Sequence, residues 1–210
     1  MLKVITLDTS KIDYYLSQGQ YHKDWYAVEG NLLYDLLPEF HGLPIIRCFA
    51  CTSMTSSIES NVHQAIKALL QLKRGQCFTG FLPAQIKYLN LIAQGQDVPG
   101  RKIMSFIRAL EGDVNAVVVD IWMCKAFGLL EERNLHVNGR DRTYYKSPSK
   151  RVYETIERYC RQDAWKRGLE PRQYQSIIWA AIKSELGVTR NVSWSNLLMK
   201  KKGMFPFIID

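Results

Sequence analysis

The chain has 210 residues, of which 47% are hydrophobic and 23% are charged, and this balance excludes a disordered or low-complexity protein. No apolar run is long enough to cross a bilayer and the first residues lack a signal-peptide pattern, so we expect a cytoplasmic protein without a membrane partner. The formal charge of +8 is concentrated, because residues 133–210 hold 16 Lys and Arg against 7 Asp and Glu. Such a basic third is typical of a surface that binds a polyanion, or else of a basic surface with no partner.

The first half of the chain is predicted to consist of helices, because its apolar residues recur at helical spacing. Residues 1–8 are β-capable and form either an ordered arm or a minor strand. The helices that follow are predicted at residues 11–18, 24–40, 43–53, 56–73 and 83–95. Residues 43–53 are almost all apolar, so this helix should be buried on every side. Ser56 and Glu59 have the spacing of a capping box at the start of the next helix.

The stretch from residue 98 to residue 128 combines a turn, a lysine and an acid in an order that suits catalysis. Pro99 and Gly100 form a turn, and a helix follows at residues 101–110 with Lys102 in its first turn. Four apolar residues then precede Asp120, which heads a second helix at residues 121–127. An acid at this position faces unpaired N–H groups, and a partly desolvated lysine can act as a nucleophile. The plainer interpretation is a helix cap and a solvated lysine.

Residues 131–149 show little apolar periodicity and are predicted to form a long connection, which in a compact domain is often functional or mobile. The segment carries Arg140, Arg142 and Tyr144. Tyrosines among cations suit phosphate contacts combined with base stacking. A solvated loop explains the same residues equally well.

Further helices are predicted after this connection. Ser147 and Pro148 should cap the first of them and Trp165 should point inward, while Gln173 and Gln175 lie in the first turn and a half of the second. The helices span residues 147–167, 171–187 and 193–202, and an apolar tail follows at 204–210.

About nine helices and no convincing alternating strand predict an all-α fold. The five cysteines form no disulfide framework, and the C-x-x-C of Cys48 and Cys51 lacks a second ligand pair, so it is interpreted as part of a buried helix. The four histidines are scattered. We therefore expect neither a metal nor a cofactor, and nothing in the sequence sets an oligomeric state.

The stretch around Lys102 and Asp120 resembles the core of the helix-hairpin-helix DNA glycosylases, the superfamily of endonuclease III and the 8-oxoguanine glycosylases. Lys102 matches the catalytic lysine of that superfamily and Asp120 matches its catalytic aspartate. The chain is most similar to phage-encoded proteins of glycosylase fold, over about residues 25–185. The shared motifs are Thr52-Ser53 and Asn61, Lys102 with Phe106, Gly112-Asp113, Val119-Asp120-Ile121-Trp122, and Pro171, Gln173, Gln175 and Trp179.

This resemblance implies a two-lobed helical fold in which the helix-hairpin-helix is degenerate. Residues 97–101 keep only Gly100 of the two hairpin glycines, and the four-cysteine iron–sulfur loop of endonuclease III is absent. The whole chain, residues 1–210, would form one compact domain. Its parts would be an N-terminal arm at 1–20, the core at 25–185, and a basic helix and tail at 190–210.

The resemblance also implies an enzyme that acts on DNA, with a damaged or modified base flipped into a cleft. Asp120 would stabilise positive charge on the sugar, and Lys102 would attack the anomeric carbon. Gln173 and Gln175 would read the edge of the base, unless they are ordinary surface glutamines, and Asn61 would contact substrate, unless it makes local hydrogen bonds. The residues expected to contact DNA or the base are Asn61, Gly100, Arg101, Trp122, Arg140, Arg142, Tyr144, Gln173 and Gln175.

Two other functions fit the same sequence. One is base hypermodification, in which an amine displaces pyrophosphate from an activated hydroxymethyl pyrimidine, as proposed for some phage proteins of this fold. The other is a non-catalytic DNA-binding or inhibitor protein, which the degenerate hairpin favours. If the chain is phage-encoded, each of these activities would take place in the cytoplasm of the host cell.

Overall fold

A computed structural model describes residues 5–54, 56–130, 132–137, 140–187 and 193–201, with residues 132–137, 140–144 and 201 described by their backbone alone. Within these ranges the chain is predominantly helical, which confirms the predicted all-α class, and one β-hairpin is present. The elements are α1 (Ile12–Gln18), α2 (Trp25–Leu36), α3 (Ile45–Thr52), α4 (Ile58–Lys73), α5 (Pro83–Ala93), α6 (Arg101–Leu110), α7 (Ile121–Ala126), β1 (Glu132–Val137), β2 (Arg140–Tyr145), α8 (Lys150–Lys166), α9 (Pro171–Glu185) and α10 (Trp194–Lys201). None of the helices in the described ranges is long and apolar enough to span a membrane.

The chain divides into two compact units, each built from two separate segments. Unit 1 comprises Met1–Trp25 and Val114–Thr189, and unit 2 comprises Tyr26–Asp113 and Arg190–Asp210. Residues 5–8 of unit 1 form no strand, whereas residues 1–4 of the predicted arm and the predicted tail at 204–210 lie outside the described residues. The predicted single domain of glycosylase type stays a prediction.

Helix α9 forms the centre of unit 1. Helices α1, α7 and α8 all pack against it, and Tyr174, Ile177 and Ile178 are completely buried at these contacts. The chain approaches closely at Gly19, where a Cβ atom would overlap the backbone of Ile177 in α9. Unit 1 therefore has its own apolar core, organised around one helix that is buried on most of its surface.

Helix α3 has the corresponding place in unit 2, where it packs against α4, α5 and α6. Each of its residues is buried except Arg47, which confirms the buried helix predicted from the apolar run. Helix α10 packs against α4. The buried carboxylate of Glu29 in α2 accepts hydrogen bonds from the backbone N–H of Ser195 (2.9 Å) and from its hydroxyl (3.0 Å).

Helix starts differ from the predictions by one or two residues. Ser57, rather than Ser56, caps α4 by accepting the N–H of Ser60. Ser149, rather than Ser147, caps α8 by accepting the N–H of Val152. In both places the capping serine has an extended backbone, and its side chain accepts the N–H three residues on.

Two further predictions need correction in the helices. The helix predicted at residues 24–40 ends at Leu36, and Pro38–Phe40 continues as a short 3₁₀ turn because proline cannot donate the next helical hydrogen bond. Trp165 was expected to face inward, but its side chain is 57% exposed. The buried face of α8 is formed by Tyr153, Ile156, Cys160 and Ala164, and position 165 lies on the opposite side.

The segment between α7 and α8 forms an antiparallel β-hairpin, although its sequence suggested only a long connection. Its register pairs Val137 with Arg140, Leu135 with Arg142, and Arg133 with Tyr144. Arginines and a tyrosine occupy alternate positions on β2, so the strand lacks the apolar alternation by which half-buried strands are recognised.

Gly30 provides a test of the packing in unit 2. A Cβ atom at this position of α2 would overlap the carbonyl oxygen of Leu110 at the end of α6. Because that oxygen belongs to the backbone, Gly30→Ala should lower the free energy of unfolding by about 1–3 kcal/mol despite the better helix propensity of alanine. Urea unfolding followed by circular dichroism measures this loss. The neighbouring exposed variant Asn31→Ala should be neutral, and equal stability of both variants would contradict the close approach.

Candidate functional site

Asp120 is fixed by three hydrogen bonds at the start of α7. Its Oδ1 accepts the backbone N–H groups of Trp122 and Met123, each at 3.0 Å, and its Oδ2 accepts the indole N–H of Trp179 in α9 at 3.0 Å. The side chain is half-buried. The prediction that Asp120 heads a helix is therefore confirmed, and the carboxylate also joins α7 to α9.

The segment that precedes Asp120 is held in place by one hydroxyl group. Residues 116–119 are buried, and the hydroxyl of Tyr153 in α8 donates to the carbonyl oxygen of Val117 (3.1 Å). The same hydroxyl accepts the N–H of Val119 at 3.4 Å. These bonds satisfy two backbone groups of a segment that belongs to no helix or strand, and they hold the chain in place just before Asp120.

The indole of Trp179, which donates to the Asp120 carboxylate, contacts a second indole ring and an amine within unit 1. The ring centroids of Trp25 and Trp179 are 5.8 Å apart with an interplanar angle of 43°. The Nζ atom of Lys183 lies 4.1 Å from the centroid of the Trp179 ring. Trp25 and Lys183 are not among the residues predicted for the site, although Lys183 stands four residues after Trp179 and hence on the same face of α9.

Lys102 belongs to unit 2 and is the second residue of α6. Its side chain is exposed, whereas the catalytic interpretation expected partial desolvation. The buried face of α6 is formed by Ile103, Ile107 and Leu110. Lys102 does not lie on this face, so its side chain is exposed to solvent. Gly100 caps α6 with φ of 112°, which requires glycine, and Arg101 is exposed beside Lys102.

Asn61 makes hydrogen bonds inside unit 2, where its side chain is 2% exposed. Its Nδ2 donates to the carbonyl oxygen of Phe49 (3.0 Å) and to Oγ1 of Thr52 (2.8 Å), which in turn donates to the carbonyl oxygen of Cys48 (2.8 Å). These bonds join the end of α3 to α4. The local interpretation of Thr52 and Asn61 is therefore the one that fits their contacts, and substrate contact by Asn61 stays a prediction.

The two glutamines expected to read a base also have structural surroundings. Gln173 accepts the N–H of Glu170 at 3.1 Å, as in a capping box, and donates to Asp24 at 2.7 Å. Gln175 is completely buried among the residues of α9. Trp122 is half-buried in the first turn of α7. Since Gln175 has no exposed surface, a base does not reach it in this conformation.

Arg140, Arg142 and Tyr144 occupy alternate positions of β2, and alternate positions of a strand lie on one face. The register adds Arg133 to this face, because it lies opposite Tyr144. The hairpin thus gathers three arginine positions and one tyrosine position on the same side. The backbone of the hairpin therefore places the predicted DNA-contacting residues Arg140, Arg142 and Tyr144 on one face.

Residues 46–186 match a family model described as a family of unknown function, DUF7178. The chain belongs to this family. The match covers about two thirds of the 210 residues and includes Lys102, Asp120 and each other site residue predicted from the sequence, whereas Trp25 lies outside it. No curated protein and no solved structure matches the chain. The similarity to DNA glycosylases stays a prediction from the sequence motifs.

The thiols of this DUF7178 protein are mostly buried, as predicted for Cys48 and Cys51. Burial raises the pKa of both these thiols to about 12, and it raises the pKa of Cys124 to about 12 as well. Cys160 is buried too, and Cys77 is exposed. The described residues contain no group of three or more His, Cys, Asp or Glu that could hold a metal ion.

Removal of the Asp120 carboxylate should destabilise the DUF7178 fold. Asp120→Ala takes the acceptor from two backbone N–H groups and one indole N–H, at a cost of about 1–3 kcal/mol in the free energy of unfolding. Asp120→Asn keeps the helix cap and should cost about 1 kcal/mol, because its amide loses only the bond to Trp179. Urea unfolding measures both, with exposed Asp35→Ala as the neutral control. Equal losses in the free energy of unfolding for the two Asp120 variants would contradict the role of Asp120 as a helix cap.

One thiol should react rapidly in the native protein. Thiolates are the reactive species, so burial together with a raised pKa protects Cys48, Cys51 and Cys124 at pH 8. Ellman's reagent should give a single fast equivalent, which Cys77→Ser removes and Cys51→Ala retains. Two or more fast equivalents in the folded wild type would show that the buried helices open readily.

Proposed function

We propose that the protein binds DNA and acts on a nucleobase, as an N-glycosylase with lyase activity. The observation that carries this proposal is the Asp120 carboxylate, which is half-buried, held by three N–H donors and bonded to the indole of Trp179, whose ring contacts that of Trp25. A carboxylate oriented in this way stabilises developing positive charge without having to reorganise. Indole rings are surfaces on which an unstacked base binds.

In the proposed reaction the bond between the base and the sugar breaks, and its electron pair leaves with the base. Positive charge develops on the sugar, and Asp120 stabilises it as a carboxylate does in glycoside hydrolysis. The amine of Lys102 then bonds to the anomeric carbon and loses a proton, and opening of the sugar ring gives an imine. The imine permits cleavage of the DNA strand.

A second candidate function is binding without chemistry. Two observations favour it: Lys102 is exposed rather than desolvated, and the three hydrogen bonds of Asp120 already give it a structural role. The basic segment at residues 133–210 would serve either function equally. A measurement of base release or of covalent trapping on DNA therefore distinguishes the glycosylase from a protein that only binds DNA.

Borohydride trapping tests the enzymatic proposal. Wild-type protein is incubated with duplexes that contain oxidised, alkylated, deaminated or hydroxymethylated bases, and borohydride reduces any imine to a stable amine. We expect a covalent complex with at least one duplex. Lys102→Ala should abolish trapping, and Asp120→Asn should slow base release at least about a hundredfold. Lys87→Ala, which removes another exposed helical lysine, is the matched control.

The other outcomes identify the alternatives. Mass spectrometry of nucleosides from DNA of cells expressing the protein distinguishes a lost base from a heavier one, and a heavier base would replace excision by modification. If no chemistry is detected and both variants bind DNA as wild type does, while Arg140→Glu with Arg142→Glu abolishes binding, binding is the function.

A further inference from the structure

The exposed side of α8 carries a row of cations and one large aromatic ring. The exposed side chains on this side are Arg151, Arg158, Gln162, Trp165 and Lys166. Positions 151, 158 and 165 are seven residues apart, so they recur every two turns at steps of about 10 Å along one face. The opposite face is the buried one that packs in unit 1. The row is therefore a continuous strip about 20 Å long.

The cations of this row differ from the neighbouring arginines in their ion pairs within the described part of the chain. Arg151, Arg158 and Lys166 make no ion pair with any residue that the structure describes. The other arginines of the segment differ, because Arg161 pairs with Glu157 (2.8 Å) and Arg167 with Asp163 (2.7 Å). Arg161 and Arg167 thus form ion pairs with acids of α8, and the three cations of the row are exposed to solvent without an ion pair to any described residue.

The acidic residues of α8 do not cancel this charge. Glu157 and Asp163 are engaged by the two arginines, and Asp163 also accepts the hydroxyl of Tyr174 at 2.8 Å. Glu154 is half-buried on the flank of the row. No acid of α8 is exposed, so the strip presents positive charge to solvent.

Trp165 is 57% exposed at the C-terminal end of this row, next to Lys166. Tryptophan is usually buried for most of its surface, and packing in unit 1 does not explain an indole on the solvent side of α8. An indole among cations fits a ligand that combines regularly spaced negative charge with flat rings. An acidic peptide supplies only the charge, and a membrane surface would require an apolar face that the row lacks.

We propose that the exposed row of α8 binds single-stranded DNA, with Arg151, Arg158 and Lys166 on phosphates of the strand and Trp165 stacked on an unpaired base. This inference rests on the proposed binding of DNA, and it does not depend on chemistry at Asp120 or Lys102. It places DNA contacts outside the hairpin and outside the motifs found in the sequence. Helix α8 then contributes affinity for an unpaired segment.

The test measures binding of a fluorescent oligo(dT) and of a matched duplex by polarisation at several salt concentrations. Arg151→Ala, Arg158→Ala and Lys166→Ala combined should lower the slope of log K against log salt by about 2 for the single strand. Trp165→Ala should weaken single-strand binding about tenfold or more with an unchanged slope, and Trp165→Phe should retain most of the affinity. Binding of the duplex should change little with Trp165→Ala.

A matched control removes three exposed cations of unit 2, by combining Arg74→Ala, Lys87→Ala and Arg108→Ala. Equal losses in the two triple variants would overturn the inference, because general charge would then explain binding. The inference would also be overturned if the α8 variants bound single-stranded DNA with wild-type affinity, or if the wild-type protein did not bind single-stranded DNA. Thermal unfolding by circular dichroism checks that each variant is folded.

The same variants separate this inference from the proposed chemistry. If α8 variants lose single-strand affinity while wild-type protein shows no base release or trapping, the surface is supported and the glycosylase proposal fails. If trapping depends on Lys102 and Asp120 while α8 variants bind and react as wild type does, the glycosylase proposal stands and the α8 surface is wrong.

Discussion

The candidate site depends on the hydrogen bonds that the carboxylate of Asp120 accepts. It accepts two N–H groups at the start of α7 and the indole N–H of Trp179 in α9, so one side chain sets both the beginning of one helix and its contact with another. The arrangement is possible because residues 116–119, which precede Asp120, are buried and are held by the hydroxyl of Tyr153. A carboxylate placed by the core itself has a fixed orientation, which is what charge stabilisation in a reaction requires.

The same geometry explains why structural and catalytic interpretations of Asp120 are compatible. A helix cap needs an oxygen that faces N–H donors, and stabilisation of a cation needs an oxygen of fixed position and negative charge. Lys102 is different, because exposure in the first turn of α6 gives it no local reason for enhanced nucleophilicity. Any catalytic role for this amine must come from its surroundings in the DNA complex.

Helices were predictable where the apolar pattern is strong, and the surroundings of polar residues were harder to predict. The buried helix α3 and the position of Asp120 at the start of α7 both follow from runs of apolar residues. Asn61 and Gln175 were expected near a substrate, yet both are buried, because residue type does not tell a core amide from a surface amide. The prediction for Trp165 was wrong in the opposite sense. Its residue type favours burial, but its position on α8 faces solvent. The hairpin was missed because charged residues occupy its alternate positions.

The order of the two units along the chain has a consequence for synthesis on the ribosome. Unit 2 begins at Tyr26, is interrupted by the second segment of unit 1, and is completed only from Arg190 onward. Until α10 has emerged, the carboxylate of Glu29 lacks the two donors that Ser195 provides. In the nascent polypeptide this carboxylate is hydrated until α10 covers it, and neither unit is a contiguous fragment that a simple truncation would leave intact.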